Sequence, residues 1–366
     1  MPAEVKGDRR PAAAGAVRPG APDPGLPESG ALGRLPGWAR PLLDACEEAG
    51  EDIEAALRLA RAYGRLLPQP GGGQTAIRWA VLAAVAQRNL TVARVLEAHS
   101  DALAILAESG SAVPDGTWGV FAAEAPPQVR LEASGPVGQV VLTGVKPWCS
   151  LAGQLDAGLV TALVGEDRRL FRVSLRHPSV TVDPPGGWVA RGLRTVTSVA
   201  VRFDATPAEP VGAPGWYLTR PGFAWGGMGV AACWQGGACG LQATLLRASQ
   251  RRTGELAGLH VGIVDAALHA SAAVLREAAA LIDAGRAQGP AGDVLGLRVR
   301  AVVADAAERT LRQVGHALGP APLAFDEDHA RRVADLELYV RQHHAERDLA
   351  RLGSAVVSEQ QRRTPA

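Results

Sequence analysis

The sequence predicts an α+β protein in three parts: an N-terminal helical domain over 37–114, a central antiparallel β-barrel or sheet over 115–213, and a C-terminal four-helix bundle over 214–356. Two observations predict it. Apolar residues recur near the helical period in the first and last thirds of the chain. Between them lie short Val-, Leu-, Thr- and Phe-rich runs, about ten residues apart and divided by Gly and Pro. With 366 residues, 47% of them hydrophobic, the chain can build a large core.

Residues 1–36 are rich in Pro, Gly and Ala and poor in large apolar side chains, so a disordered tail is expected there. Pro41-Leu-Leu-Asp-Ala opens the helical domain, and Ile53, Ala56, Leu57 and Ala60 mark its next apolar face. Gly71-Gly-Gly interrupts the pattern; without a Gly-Lys-Ser/Thr ending it reads as a helix connector, not a phosphate loop. Ile77, Val81, Leu82 and Val85, then Val92, Val95 and Leu96, then Leu103, Ile105 and Leu106 continue the helical repeat. Strands are expected at 118–121, 129–131, 140–142, 159–163, 170–173, 180–182 and 196–203. The helical period then returns in 228–248. One later face carries Val264, Leu268, Ser271, Leu275, Ala279 and Ile282; another carries Leu295, Val299, Val302, Ala306 and Leu311. Val333, Leu336, Val340 and His343 form a last stripe, and 357–366 reads as a tail.

The bulk properties exclude several function classes. A net charge of +1 gives no electrostatic signal for nucleic acid or an anionic membrane. No apolar run is expected to span a bilayer, and no export signal is seen, so a cytoplasmic protein is expected. Cys46, Cys149, Cys233 and Cys239 form no C-x-x-C pair and have no zinc-finger spacing to histidine, so they read as free thiols and no metal is expected. Lysine occurs only at Lys6 and Lys146.

The most informative stretch is Val141-Leu-Thr-Gly-Val-Lys-Pro-Trp-Cys-Ser, followed by Asp156-Ala-Gly-Leu-Val-Thr-Ala. With Thr117-Trp-Gly-Val-Phe-Ala-Ala-Glu-Ala-Pro, the segment Gly187–Asp204, Gly319-Pro-Ala-Pro-Leu and Arg331-Arg-Val-Ala-Asp-Leu, its order and spacing resemble the acyl-CoA dehydrogenase family over roughly 40–355. The resemblance implies an FAD cofactor. Trp148 would wall the isoalloxazine ring, Ser150 would hydrogen-bond to it, and the strand end at Phe121 and Ala123 would meet its polar edge. It further implies oxidation of the CH–CH bond of an acyl thioester or related small molecule. A homodimer or homotetramer built through the bundle would follow.

Two departures qualify that implication. The family's base is commonly a glutamate eight residues after the aspartate of an Arg-Asp pair; eight residues after Asp335 stands His343, and Glu337 and Glu346 are the nearest carboxylates. Histidine can serve as acid or base near neutral pH, so His343 is the candidate catalytic residue. The family's Arg-x-Gln-Phe-Gly segment, whose arginine meets the flavin diphosphate, is also missing; Arg247-Ala-Ser-Gln-Arg-Arg stands there. Gly226-Gly-Met-Gly and Gly236-Gly-Ala-Cys-Gly, on either side of Trp234, permit close helix packing or passage of a pantetheine tail. Two further readings follow: a flavin monooxygenase of the same fold, or a non-catalytic paralogue that partners an active homologue in a hetero-oligomer.

Overall fold

The computed structural model describes residues 30–123, 129–136, 138–250 and 255–363. The tail expected at 1–36 lies outside them up to residue 29, but 30–36 are ordered, which corrects that boundary. Gln235 Nε2 donates to the Gly30 carbonyl at 3.3 Å, Arg276 Nη1 donates to the Ala31 carbonyl at 2.7 Å, and Leu32 is only 4% exposed.

Four helices form the N-terminal layer: α1 Ala39–Ala49, α2 Ile53–Tyr63, α3 Thr75–Arg88 and α4 Leu90–Glu108. Their ends are set by side chains. Asp52 caps α2 by accepting from the Glu54 and Ala55 amides. Asn89 caps α4 through the Val92 amide, while its own amide donates to the Cys46 and Gly50 carbonyls at the end of α1. The glycine triplet is a connector: Asp283 accepts from the Gly73 and Thr75 amides and from Thr75 Oγ1 at 2.6 Å, pinning the start of α3 to the bundle.

Eight strands follow: β1 Trp118–Phe121, β2 Leu131–Ser134, β3 Val141–Ser150, β4 Ala157–Val164, β5 Asp167–Ser174, β6 Val180–Val182, β7 Ser198–Pro207 and β8 Glu209–Val211. They form one sheet in the order β6-β7-β3-β2-β4-β5-β8, with β1 added on β4. Most pairings are antiparallel, as expected. The β1–β4 and β2–β4 pairings are parallel, so the sheet is mixed.

The bundle consists of a short α5 Trp216–Thr219, the long helices α6 Pro221–Ser249, α7 Glu255–Asp283 and α8 Gly289–Leu318, a short α9 Ala321–Phe325, and α10 Glu327–Tyr339, which packs as the fourth helix. A further helix, α11 Glu346–Arg363, lies along α8, so the expected tail from 357 is helical as far as 363. Helix α6 is the axis of the molecule. Its Gly236 sits directly on the carbonyl of Ala83, where any Cβ would collide with backbone, so α3 and α6 are in main-chain contact. This supports packing, not passage of a ligand tail, at that glycine. Trp79, Trp234 and Tyr339 fill the adjoining core, each contributing about 1.5–3 kcal/mol by burial. Contrary to the sequence expectation, one helical stretch, Gly258–Asp283 of α7, is long and apolar enough to cross a membrane by length and composition. In the bundle its Val264, Leu268, Leu275 and Ala279 face the core.

His99 links α4 to the sheet. It is 2% exposed, and its Nδ1 accepts the Trp118 amide at 3.2 Å. Burial, with Arg65 adding to it, pulls its pKa from 6.5 down to about 4. A second proton would also remove that acceptor. The folded pKa is depressed, so stability is full above pH 6.5 and declines as pH falls toward 4. Replacing the imidazole with an uncharged acceptor, His99→Asn, is expected to remove about 2 kcal/mol of the stability difference between pH 7 and pH 5. Denaturant unfolding at the two pH values checks this; equal pH dependence in both proteins would contradict it.

Candidate functional site

Strand β3 is irregular where the sequence signal lies. Lys146 points inward, 7% exposed, and its Nζ donates to Thr161 Oγ1 at 2.7 Å and to the Thr161 carbonyl at 3.0 Å. The register with β7 then shifts between Lys146 and Cys149, where Pro147 offers no amide to the ladder. Within this bulge Trp148 adopts a left-handed backbone, φ 60°, and its side chain is 62% exposed. Leu151, φ 59°, repeats the irregularity one turn later. A bulky side chain in this region stores roughly 1–3 kcal/mol of strain, and such strain concentrates at functional sites. Cys149, next along, is buried; burial pushes its thiol up to about 12, so it is not a nucleophile.

Ser150 Oγ lies 2.7 Å from Ser198 Oγ, and Ser198 also donates to the Val196 carbonyl. Ser198 belongs to β7, far away in sequence, and was not singled out by the sequence. Ala123 is exposed at the end of β1, whereas the Phe121 ring is 2% exposed and packed over Gly119 and Gly158. Only the Phe121 backbone is therefore free to meet a ligand.

His343 is not on a continuous last helix, which corrects the expected stripe. Helix α10 ends at Tyr339, a single 3-10 turn covers Val340–Gln342, and His343 is extended, φ −81°, ψ 124°. Ala345, φ 45°, and the Asp348 carboxylate, which accepts the His344 amide at 3.2 Å, redirect the chain into α11. The His343 ring stands edge-on to Trp234, with centroids 6.4 Å apart, and its Nε2 is buried without a hydrogen-bond partner among the described residues. Burial and then Arg300 lower its pKa, against Asp348 and Glu308. The imidazole is thus neutral at pH 7 and able to accept a proton.

Asp335 joins these two regions. Its Oδ1 accepts the Leu193 amide at 2.5 Å, and Gly192 lies directly against the Ala334 carbonyl. The loop so held leads into β7 and Ser198. Burial, partly offset by the Leu193 bond, raises Asp335 from 3.8 to about 6. Arg332 does not pair with Asp335 and instead donates to the Gln87 and Arg88 carbonyls at the end of α3.

Beside Trp234 and His343 the helix interfaces are charged. Arg94 pairs with Glu97 at 3.0 Å, Tyr339 donates to Glu97 Oε2 at 3.3 Å, and burial pushes Glu97 up against the pull of Arg94. Three cavities stand out elsewhere: about 580 Å³ between α3, α6 and residues 30–35, about 850 Å³ between α8 and α11, and about 240 Å³ beside Asp101 and Arg220. Neither Trp148 nor His343 lines any of them. Among the described residues no cluster of His, Cys, Asp or Glu could hold a metal ion. Arg251 and Arg252, near the missing diphosphate motif, lie outside the described residues.

No family model and no curated protein matches the chain. Solved structures do. TdsC from Paenibacillus sp. A11-2, in complex with FMN and indole, aligns with a TM-score of 0.74 at 15% identity, over 88% of this chain and 96% of that one. KijD3, in complex with FMN and a dTDP-linked amino-keto sugar, aligns at 0.73 and 18%, over 91% and 97%. Butyryl-CoA dehydrogenase from Megasphaera elsdenii aligns at 0.73 and 15%, over 88% and 99%. The chain has the acyl-CoA dehydrogenase-type fold of these flavoproteins.

Removing the acceptor at the junction, Asp335→Ala, is expected to destabilise the chain by about 1–3 kcal/mol because the buried Leu193 amide is orphaned. Asp335→Asn keeps an acceptor and should lose less. Chemical unfolding of both variants checks this; equal losses would mean that the amide bond does not carry the contact.

Proposed function

We propose that this chain is a flavin-dependent oxidoreductase acting on a small molecule. The observation that carries the reading is Trp148: a large indole held outside the sheet in a left-handed bulge, beside the Ser150–Ser198 hydroxyl pair. A flavin needs a flat wall and hydrogen bonds at its polar edge. Trp148 would provide the wall, and Ser150, Ser198 and the backbone at Phe121 and Ala123 the bonds, so the residues present fit the group. Bound there, a flavin would accept or deliver the electrons of the reaction. His343 would take or return a proton at its unpartnered Nε2.

FAD is what the family resemblance implies; the missing diphosphate arginine segment favours FMN, a smaller demand on the site. Oxidation of an acyl thioester at its CH–CH bond is one reaction this site would support. The charged packing of Arg94, Glu97 and Tyr339 near His343 leaves no apolar channel there, which favours a compact substrate over a long acyl chain. A second reading, a monooxygenase supplied with reduced flavin, is supported by the neutral imidazole where a carboxylate base is expected. Exposed apolar side chains on α7 and α11, including Leu256, Leu259, Leu349 and Val357, support self-association through the bundle.

Titration of the purified chain with FMN, FAD and chemically reduced FMN tests the flavin proposal. Saturable quenching of tryptophan fluorescence is expected, with Trp148→Ala weakening affinity about tenfold, equivalent to about 1.4 kcal/mol. No binding of any of the three flavins would overturn the enzyme reading and leave the non-catalytic paralogue. Preference for reduced FMN with oxygen-dependent turnover supports the monooxygenase; turnover of a short acyl-CoA with an artificial acceptor supports the dehydrogenase. In either case His343→Gln should lower turnover by roughly 10²-fold without changing flavin affinity.

A further inference from the structure

We propose that Arg300 is a positioning residue that fixes His343 for proton transfer, an assignment that rests on the acid–base role given to His343 above. Arg300 stands on α8 and bonds two backbone carbonyls distant in sequence. Its Nη1 donates to Gly227 on α6 at 2.8 Å, and its Nη2 donates to Gln342 at 2.6 Å. The Gln342 carbonyl belongs to the peptide that carries the His343 amide, so this bond sets the plane from which the imidazole projects. The other bond holding the turn runs from the His343 amide to the Val340 carbonyl at 2.9 Å. The same guanidinium lies 4.7 Å over the Trp234 ring, and Trp234 meets the His343 ring edge-on. Arginine, indole and imidazole therefore form one assembly contributed by α8, α6 and the 340–343 turn.

A planar fork is required for this work. Lysine has a single ammonium head and cannot bond two carbonyls in fixed directions while also lying flat on an indole. The charge acts in the same sense as the geometry. The charged and titratable groups facing His343 are Arg300 and Glu308 of α8, Asp348 of α11 and the neighbouring His344. Of these, Arg300 opposes a second proton on the imidazole most strongly, keeping His343 in its accepting form.

The test uses the full chain, labelled at its histidines, with the His343 signal assigned through His343→Gln. Its titration and the hydrogen exchange of the 341–344 amides are measured in wild type, Arg300→Gln and Arg300→Lys. Arg300→Gln should shift the His343 titration to higher pH and raise 341–344 exchange at least tenfold. Arg300→Lys should leave the titration near wild type while exchange still rises, which separates charge from the fork. If both variants fold, as judged by thermal unfolding, and neither measurement moves, the assignment is overturned. If Arg300→Gln does not fold, the exchange result for Arg300→Lys decides. Neither readout requires flavin: an Arg300 effect in a chain that binds no flavin would refute the proposed function and leave the positioning intact, whereas flavin binding without an Arg300 effect would do the reverse.

Discussion

The contact of Asp335 and Ala334 with Leu193 and Gly192 is the constraint on which the site depends. It joins the sheet to the bundle through one 2.5 Å hydrogen bond and one backbone-to-backbone approach that only glycine allows. On one side of it, a short loop leads to Ser198 and, across the β3–β7 ladder, to Ser150 and Trp148. On the other side, eight residues of helix and turn lead to His343, roughly 12 Å at the helical rise. Without this junction the aromatic wall and the imidazole would sit on separate bodies. Burial raises Asp335 to about 6, so the junction holds a carboxylate against its desolvation. The Leu193 amide is what makes that tolerable.

Inside the bundle the same logic is repeated with main chain instead of charge. Gly236 lets α6 touch the backbone of α3, which places Trp234 deep between the helices. There Trp234 becomes a surface for two other groups, the Arg300 guanidinium on its face and the His343 ring at its edge. The buried pair of Arg94 and Glu97, bonded to Tyr339, fills the adjoining space. A site lined this way is suited to proton movement and to polar ligands more than to hydrocarbon.

The three-part architecture was legible because helical and strand periods differ, and the apolar faces of α3, α4, α7 and α8 repeat cleanly. The parallel pairings of β1 and β2 with β4 were not, since register is decided between strands and leaves no mark within one. The break after Tyr339 was hidden for a related reason: Val333, Leu336, Val340 and His343 keep helical spacing even though the backbone leaves the helix, and the left-handed Ala345 that redirects it has no obvious local signal. Residues 30–36 looked disordered because their composition is; Gln235 and Arg276, over two hundred residues away, supply the bonds that order them. In the site, Trp148 and Ser150 were visible as a compact motif. Ser198, Arg300 and Asp348 were not, because they come from β7, α8 and α11 and converge only after folding.

The central claim is that the Trp148 bulge is a flavin wall. The most direct measurement is a crystal structure of the chain grown with FMN. The account requires the isoalloxazine ring against the Trp148 indole, with a polar edge in hydrogen-bond reach of Ser150 or Ser198. Flavin density elsewhere, such as the groove between α3, α6 and residues 30–35, with the Trp148 indole uncovered, would contradict it.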